Sequence, residues 1–305
     1  MAIPETKLSG WTTQGSTTNS SRTYQTVKNA VKNERYGLGD FEHDYRIHLQ
    51  GSYANHTNNW GSNDVDIVVK LTMPFQECLD DLCESERENF WQEYNDIDYT
   101  FGEFYDTVHS ALKNYFGREN IEKGSKAIKV KANEDTNLPI DADVVACVEY
   151  RKYRSFGDDG NQHYIEGMWF KTRSLLSRAI INYSEKHREN GGIKNDQTNG
   201  NYKSTIRMFK KARDHMEDRG LISGDTATSY FIEGLLYNVP NSRFKKSNLT
   251  ERYVAILEYL EDNDVDDFIE QSRQYDLCVD GDPDRWTTAD ANATISGFRD
   301  LWEEW

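Results

Sequence analysis

The sequence predicts an α+β fold in two lobes, a mixed sheet with helices in the N-terminal lobe and a mainly helical C-terminal lobe. Three observations carry this expectation. The apolar, β-branched runs fall in the first half, helical periodicity dominates the second, and 305 residues suffice for two packed lobes. The boundary is placed near 165, giving lobes over 1–165 and 166–305.

Taken in order, Arg22–Glu34 reads as a helix running into a turn at Gly37 and Gly39. Tyr45–Gln50 reads as a strand that stops at Gly51. Val65–Leu71 is apolar and β-branched, the signature of a buried strand. Phe104, Val108, Leu112 and Tyr115 share one face of a helix over Phe101–Phe116, and Gly117 suits its end. Ala127–Lys131 and Ile140–Val148 read as two further strands. In the second half, Tyr202, Ile206, Phe209 and Met216 form an apolar stripe, with Lys203, Arg207 and Lys210 on another face. Helices are also expected over Thr226–Tyr237, Leu249–Glu261, Val265–Tyr275 and Ala289–Trp305, the last with a core stripe at Ile295, Phe298 and Trp302.

Composition narrows the partners. Asp and Glu number 52 against 36 Lys and Arg, a formal net charge of −16. Affinity for long nucleic acid comes mainly from neutralising phosphates, which this average surface repels. Small triphosphates need only a local basic pocket, so no long nucleic acid is expected as partner. No window approaches the roughly 20 apolar residues of a membrane span, and the N-terminus has no signal-peptide pattern. The four cysteines, Cys78, Cys83, Cys147 and Cys278, lack zinc-ligand spacing and read as reduced thiols, so a cytoplasmic location is expected.

The residues that carry chemistry are acidic. Asp64 and Asp66 lie two apart at the head of a predicted strand and so share a face, while Val65, Ile67 and Val69 anchor the other. Carboxylates beside a buried strand are costly unless they are paired or bind metal. Asp141 and Asp143 repeat the arrangement before Val144-Val145, and either could supply a third ligand. Two divalent ions about 4 Å apart stabilise the entering and leaving oxygens of a phosphoryl transfer, and Mg²⁺ takes oxygen ligands. Gly51-Ser52 follows a strand, where glycine lets the backbone turn close to a phosphate and serine adds a hydroxyl. The chain contains its own control. Asp264-Val265-Asp266 repeats Asp64-Val65-Asp66 but has no Gly-Ser before it and no apolar strand after it, so it reads as a turn or N-cap. Lys126, Lys129 and Lys131 fit an acceptor side or an exposed strand edge equally well, and His56 and Thr57 have no derivable role.

Gly-Ser, a spacer, Asp-x-Asp and a distant third Asp resemble the polymerase-β-type nucleotidyltransferases. More narrowly, Leu49 to Asn55 and Asp64 to Val69 resemble the bacterial CD-NTases, relatives of cyclic GMP-AMP synthase and oligoadenylate synthetase. The likeness continues through Ile180-Ile181-Asn182-Tyr183, His187, Asn190-Gly191, Lys194-Asn195, Thr198, Tyr202-Lys203 to Arg213-Asp214, Ser229-Tyr230 and Asn238 to Asn241. Ser184 stands where a proline is expected after Asn-Tyr.

The resemblance implies a nucleotidyltransferase that joins nucleoside triphosphates (ATP, GTP or others) into a cyclic di- or oligonucleotide, an antiphage second messenger read by a separate effector. It implies that Asp64, Asp66 and Asp143 ligate two Mg²⁺ or Mn²⁺ ions, with Asp141 as fallback for Asp143. It also implies that Gly51, Ser52, Lys210 and Ser229 grip the triphosphate, with Lys211 as alternate for Lys210, and that Tyr230 stacks on a base. The competing readings are the same chemistry on an RNA end, a protein or a small-molecule acceptor, and a binding protein without turnover.

Overall fold

The computed structural model describes residues 2–61, 64–94, 99–224 and 226–305. Along the chain, α1 (Glu5–Trp11) and α2 (Thr18–Val31) lead into β1 (Tyr45–Gln50), the short helix α3 (Gly51–Asn55) and β2 (Asp64–Cys78). Helices α4 (Glu84–Glu93) and α5 (Phe101–Phe116) precede β3 (Ile121–Lys123), β4 (Ile128–Val130), β5 (Asp141–Phe156), β6 (Gln162–Lys171) and β7 (Ala179–Asn182). The rest is helical: α6 (Ser184–Gln197), α7 (Asn201–Asp218), α8 (Ser229–Tyr237), α9 (Asn241–Phe244), α10 (Leu249–Asp262) and α11 (Thr288–Glu303).

Contacts divide the chain into two compact units. One comprises 17–50 and 63–185, the other 1–16, 51–62 and 186–305. The expected boundary near 165 therefore moves. It would cut β6, which pairs with β5 along Val148–Phe156 and carries β7 on its other edge. The polar, turn-rich stretch between β6 and β7 hides this continuation, because alternation over four residues is too short to read as a strand. The segment 51–62 also leaves the sheet unit and packs with the helices.

The sheet unit is built on β2 and β5, which run parallel from Asp64↔Asp141 to Cys78↔Lys152. Strand β1 pairs antiparallel with the other edge of β2, and β4 and β6 share the free edge of β5. The interiors of both strands are closed to solvent, with Val65, Ile67, Val69, Leu71, Ala142 and Val144 at 0% exposure. Helix α5 starts on a capping box between Thr100 and Glu103 and buries Phe104, Val108 and Leu112, ending at Gly117 with φ +88°. Lys70 of β2 is buried and pairs with Glu166 and, at 3.1 Å, with Glu185.

The helical unit has one core. Tyr202, Ile206, Phe209 and Met216 of α7 pack with Phe231 and Leu235 of α8, Tyr253 of α10 and Phe298 of α11, as their 3–4 spacing predicts. The helix expected over Val265–Tyr275 does not form. A single 3₁₀ turn spans Val265–Asp267, and Phe268 is already extended at ψ 139°. Beyond it Glu270 and Gln271 are buried, their side chains bonded to Tyr230, Tyr202 and the His187 carbonyl. Those tertiary bonds override a weak helical pattern. Asp264 takes the role expected of the second acidic copy, its side chain accepting the Asp266 amide at 3.1 Å. No described helix is long and apolar enough to cross a membrane.

Candidate active site

In the sheet unit, register sets the acidic cluster. Asp64 lies opposite Asp141 and Asp66 opposite Asp143 on neighbouring parallel strands. Alternation puts all four on one face, where the strands emerge from the core: Asp64 is exposed, while Asp66, Asp141 and Asp143 are half-buried.

The two candidates for third carboxylate are placed differently. Asp141 accepts the Ala132 amide at 2.8 Å and pairs with Lys129 at 3.1 Å. Burial alone would raise its pKa, but those partners bring it below the usual carboxylate value. Asp143 is pushed the other way, by burial first and then by the negative charge of Asp64, with Lys129 compensating only partly. Asp143 thus lies where a cation is electrostatically wanted, and Asp141 already has one. Oxygen donors of this kind suit Mg²⁺ or Mn²⁺. Among the described residues no three His, Cys, Asp or Glu side chains are gathered as a finished cage. The fit therefore rests on donor type, shared face and the unbalanced charge at Asp143. A cavity of about 900 Å³ in the same unit is lined by Phe75, Trp91, Tyr94, Phe101 and Trp169 and holds none of the aspartates. Of the other lysines, Lys131 pairs with Glu122.

The helical unit holds the Gly-Ser turn. Gly51 takes φ +68°, a conformation open to glycine and costly with a Cβ. Ser52 follows in α3, half-buried, and its carbonyl accepts the Thr57 amide at 2.9 Å. Lys210, expected on a basic face, is 4% exposed and donates to the Thr57 carbonyl at 3.0 Å. It reaches the turn from α7 as a buried cation. Lys211, the alternate, pairs with Asp214 at 3.0 Å. Ser229 opens α8 behind the capping Thr228, whose hydroxyl accepts the Phe231 amide. Tyr230 stacks on His187 at 4.5 Å and on Trp286 at 5.9 Å, and its hydroxyl donates to Glu270. Ser184 begins α6, a first-turn position that proline would also accept.

Two residues around this turn have contacts that the sequence did not assign. Arg207 donates to the carbonyls of His56 at 2.6 Å and Thr12 at 2.7 Å. Glu233 accepts from Asn55, Thr57 and His187. Burial would raise its pKa, but the His187 hydrogen bond and charge, the Lys210 charge and the Thr57 hydroxyl pull it down to about 2. One signal was available in the sequence. Glu233 is a lone acid in the run Phe231-Ile232-Glu233-Gly234-Leu235-Leu236, and such an acid needs partners.

The chain is similar to known proteins. Residues 189–303 match the cGAS/DncV-like nucleotidyltransferase C-terminal helical domain. The chain is 39% identical over 308 residues to a cyclic UMP-AMP synthase of Rhodothermus marinus, covering 100% of this chain and 99% of the relative. It is 35% identical to a cyclic nucleotide synthase of Staphylococcus haemolyticus, with 100% of both chains covered. Among solved structures, the Rhodothermus marinus c-UMP-AMP synthase with Apcpp and Upnpp superposes with a TM-score of 0.86, at 36% identity over 99% of this chain and 97% of that one. A cyclic dinucleotide synthase of Elizabethkingia meningoseptica with GTP and Apcpp gives 0.75 at 27% identity, covering 99% and 98%.

Proposed function

Since the chain belongs to the cGAS/DncV-like nucleotidyltransferases, the CD-NTases, we propose that it joins nucleoside triphosphates into a cyclic di- or oligonucleotide and releases pyrophosphate. The observation that carries the proposal is the register of β2 on β5, which sets Asp64 and Asp66 beside Asp141 and Asp143 on one strand face. The likeness to a cyclic UMP-AMP synthase makes ATP with UTP the first pair to test. The product would act as a diffusible signal on a separate effector, in the antiphage setting that the family resemblance implies.

In this reading Asp64, Asp66 and Asp143 would hold two Mg²⁺ or Mn²⁺ ions, which supply charge neutralisation at the reacting phosphate and the leaving pyrophosphate. Asp141 stays with Lys129. The Gly51-Ser52 turn would receive the donor triphosphate through backbone amides and the Ser52 hydroxyl. Lys210 would exchange the Thr57 carbonyl for a phosphate oxygen, the stronger charge-assisted bond, and Ser229 would add a hydroxyl. Tyr230 would meet a base only with the part of its ring that His187 and Trp286 leave open. As the acceptor hydroxyl attacks the α-phosphorus, the bond to the bridging oxygen of pyrophosphate breaks and Asp143 takes the hydroxyl proton. Each repeat extends the chain until its own hydroxyl closes the ring.

The test is incubation with all pairwise combinations of α-labelled triphosphates and Mg²⁺ or Mn²⁺, with linkage-specific nuclease digestion of the products. Pyrophosphate release with a phosphatase-resistant product, abolished by Asp64→Ala, is expected. Label retained on RNA, protein or a small acceptor from a lysate, with no product from triphosphates alone, would overturn the proposal.

A further inference from the structure

Glu233 is a buried charge to which the proposed chemistry gives no task. It lies mid-way along α8 among apolar neighbours and is 3% exposed. A carboxylate in that place costs several kcal/mol unless its oxygens are filled. Both oxygens are filled. Oε1 accepts the Thr57 hydroxyl at 2.5 Å, and Oε2 accepts the Asn55 amide at 2.9 Å and faces His187 Nε2 at 2.8 Å. His187 is itself fixed, its ring stacked on Tyr230 and its carbonyl accepting the Gln271 side-chain amide at 2.7 Å.

What these bonds hold is the end of the Gly-Ser turn. Asn55 closes α3, and Thr57 donates its amide to the Ser52 carbonyl while its own carbonyl receives Lys210. Thr57 is thus gripped by its hydroxyl from α8 and by its carbonyl from α7. A leucine at 233 would serve the core as well. It could not hold two donors on a turn whose own hydroxyl and amides must stay open.

Resting on the reading of Gly51-Ser52 as the triphosphate turn, we infer that Glu233 is a positioning residue for donor nucleotide binding. Oriented by His187, its carboxylate fixes Asn55 and Thr57 and, through Thr57, the Ser52 backbone, so the turn is set before the triphosphate arrives. Preorganisation of this kind appears in affinity, because the ordering cost is met during folding.

The test compares wild type with Glu233→Gln and Thr57→Val, each checked for native folding by thermal melt. Three readouts are taken: KM for the donor triphosphate, kcat, and the affinity for a non-hydrolysable triphosphate analogue. Glu233→Gln should raise KM and weaken the analogue by about tenfold, the loss of one charge-assisted hydrogen bond, with kcat within about threefold. Thr57→Val should do the same, and the double variant should lose little more than either alone, as expected of one coupled unit. A Glu233→Gln protein that melts lower yet keeps its KM and analogue affinity would overturn the inference, and so would simply additive effects of the two substitutions. Wild type that binds the analogue but never turns over triphosphates would defeat the proposed reaction and leave the clamp testable by binding.

Discussion

Asp143 stands directly opposite Asp66 across the parallel pair β5 and β2, and its carboxyl is held above the usual value by burial and by the charge of Asp64. Asp141 has the same kind of strand position two residues earlier and is neutralised by Lys129. One lysine therefore separates two aspartates that strand alternation alone leaves equivalent.

Substituting these aspartates should separate them further. Asp64→Asn, Asp66→Asn and Asp143→Asn should each lower kcat by about a thousandfold or more, the several kcal/mol that metal-borne charge stabilisation provides. Asp141→Asn should cost only about tenfold, the scale for a group that supports ligands without being one. Initial rates of pyrophosphate release decide it. Equal losses at 141 and 143 would exchange their roles.

The same imbalance makes a prediction for stability. Without metal, Asp143→Asn removes a half-buried charge that faces another of the same sign, so the variant should melt at or above wild type. Adding millimolar Mg²⁺ should raise the melting temperature of wild type, because an ion bound only by the folded state stabilises it by mass action. The rise should be absent or much smaller in Asp143→Asn. Scanning calorimetry with and without Mg²⁺ gives both numbers.

Gly51 supplies a backbone test. A Cβ at φ +68° costs roughly 1–2 kcal/mol, so Gly51→Ala should be less stable by about that amount, with a weakened donor KM. Denaturant titration should show the loss. Unchanged stability and KM together would mean that the turn tolerates the side chain and that its shape is not what glycine provides.

How legible all this was in the sequence depends on the range of the forces involved. Tyr45–Gln50 and Phe101–Phe116 form as predicted to the residue, because periodicity and caps act within a few positions. The acidic strands are readable for the same reason, since Asp64 to Val69 contains both its carboxylates and its apolar anchor. Val265–Tyr275 misleads because Glu270 and Gln271 spend their side chains on Tyr230 and Tyr202, far away in sequence. Glu233 is hidden likewise, with its partners Asn55 and Thr57 removed by 178 and 176 positions. The contrast between Asp141 and Asp143 needed Lys129, which the pairing of β4 with β5 sets opposite Asp143 while its ammonium reaches Asp141 at 3.1 Å.

Glu233 should also mark the acid limb of stability. Its pKa of about 2 lies below the ordinary 4.5, so the folded state binds fewer protons than the unfolded chain across that interval. The contribution is complete above about pH 4.5 and is lost as pH falls towards 2. For a fully buried group the shift corresponds to on the order of 3 kcal/mol. Urea unfolding of wild type and Glu233→Gln between pH 2 and 6 should show the two curves converging as acid is added. Parallel curves would contradict an ionised Glu233.

Lys194 should act at the other end of the pH scale and in the opposite sense. Its ammonium is buried, donates to the Val239 carbonyl at 2.7 Å and to Asn241 at 3.1 Å, and lies over the rings of Tyr202, Tyr237 and Phe244. Among the described residues no carboxylate pairs with it, and burial lowers its pKa to about 8. Between pH 8 and the ordinary 10.5 the unfolded chain therefore holds the proton more often than the folded one, and stability linked to this group rises with pH. Relative to Lys194→Met, which keeps the ring contacts and removes the charge, wild type should gain stability steadily across that window. A difference between the two proteins that stays constant from pH 7 to 10.5 would mean that Lys194 keeps its proton as readily in the fold as in water, and that the three rings and two carbonyl oxygens replace its hydration in full.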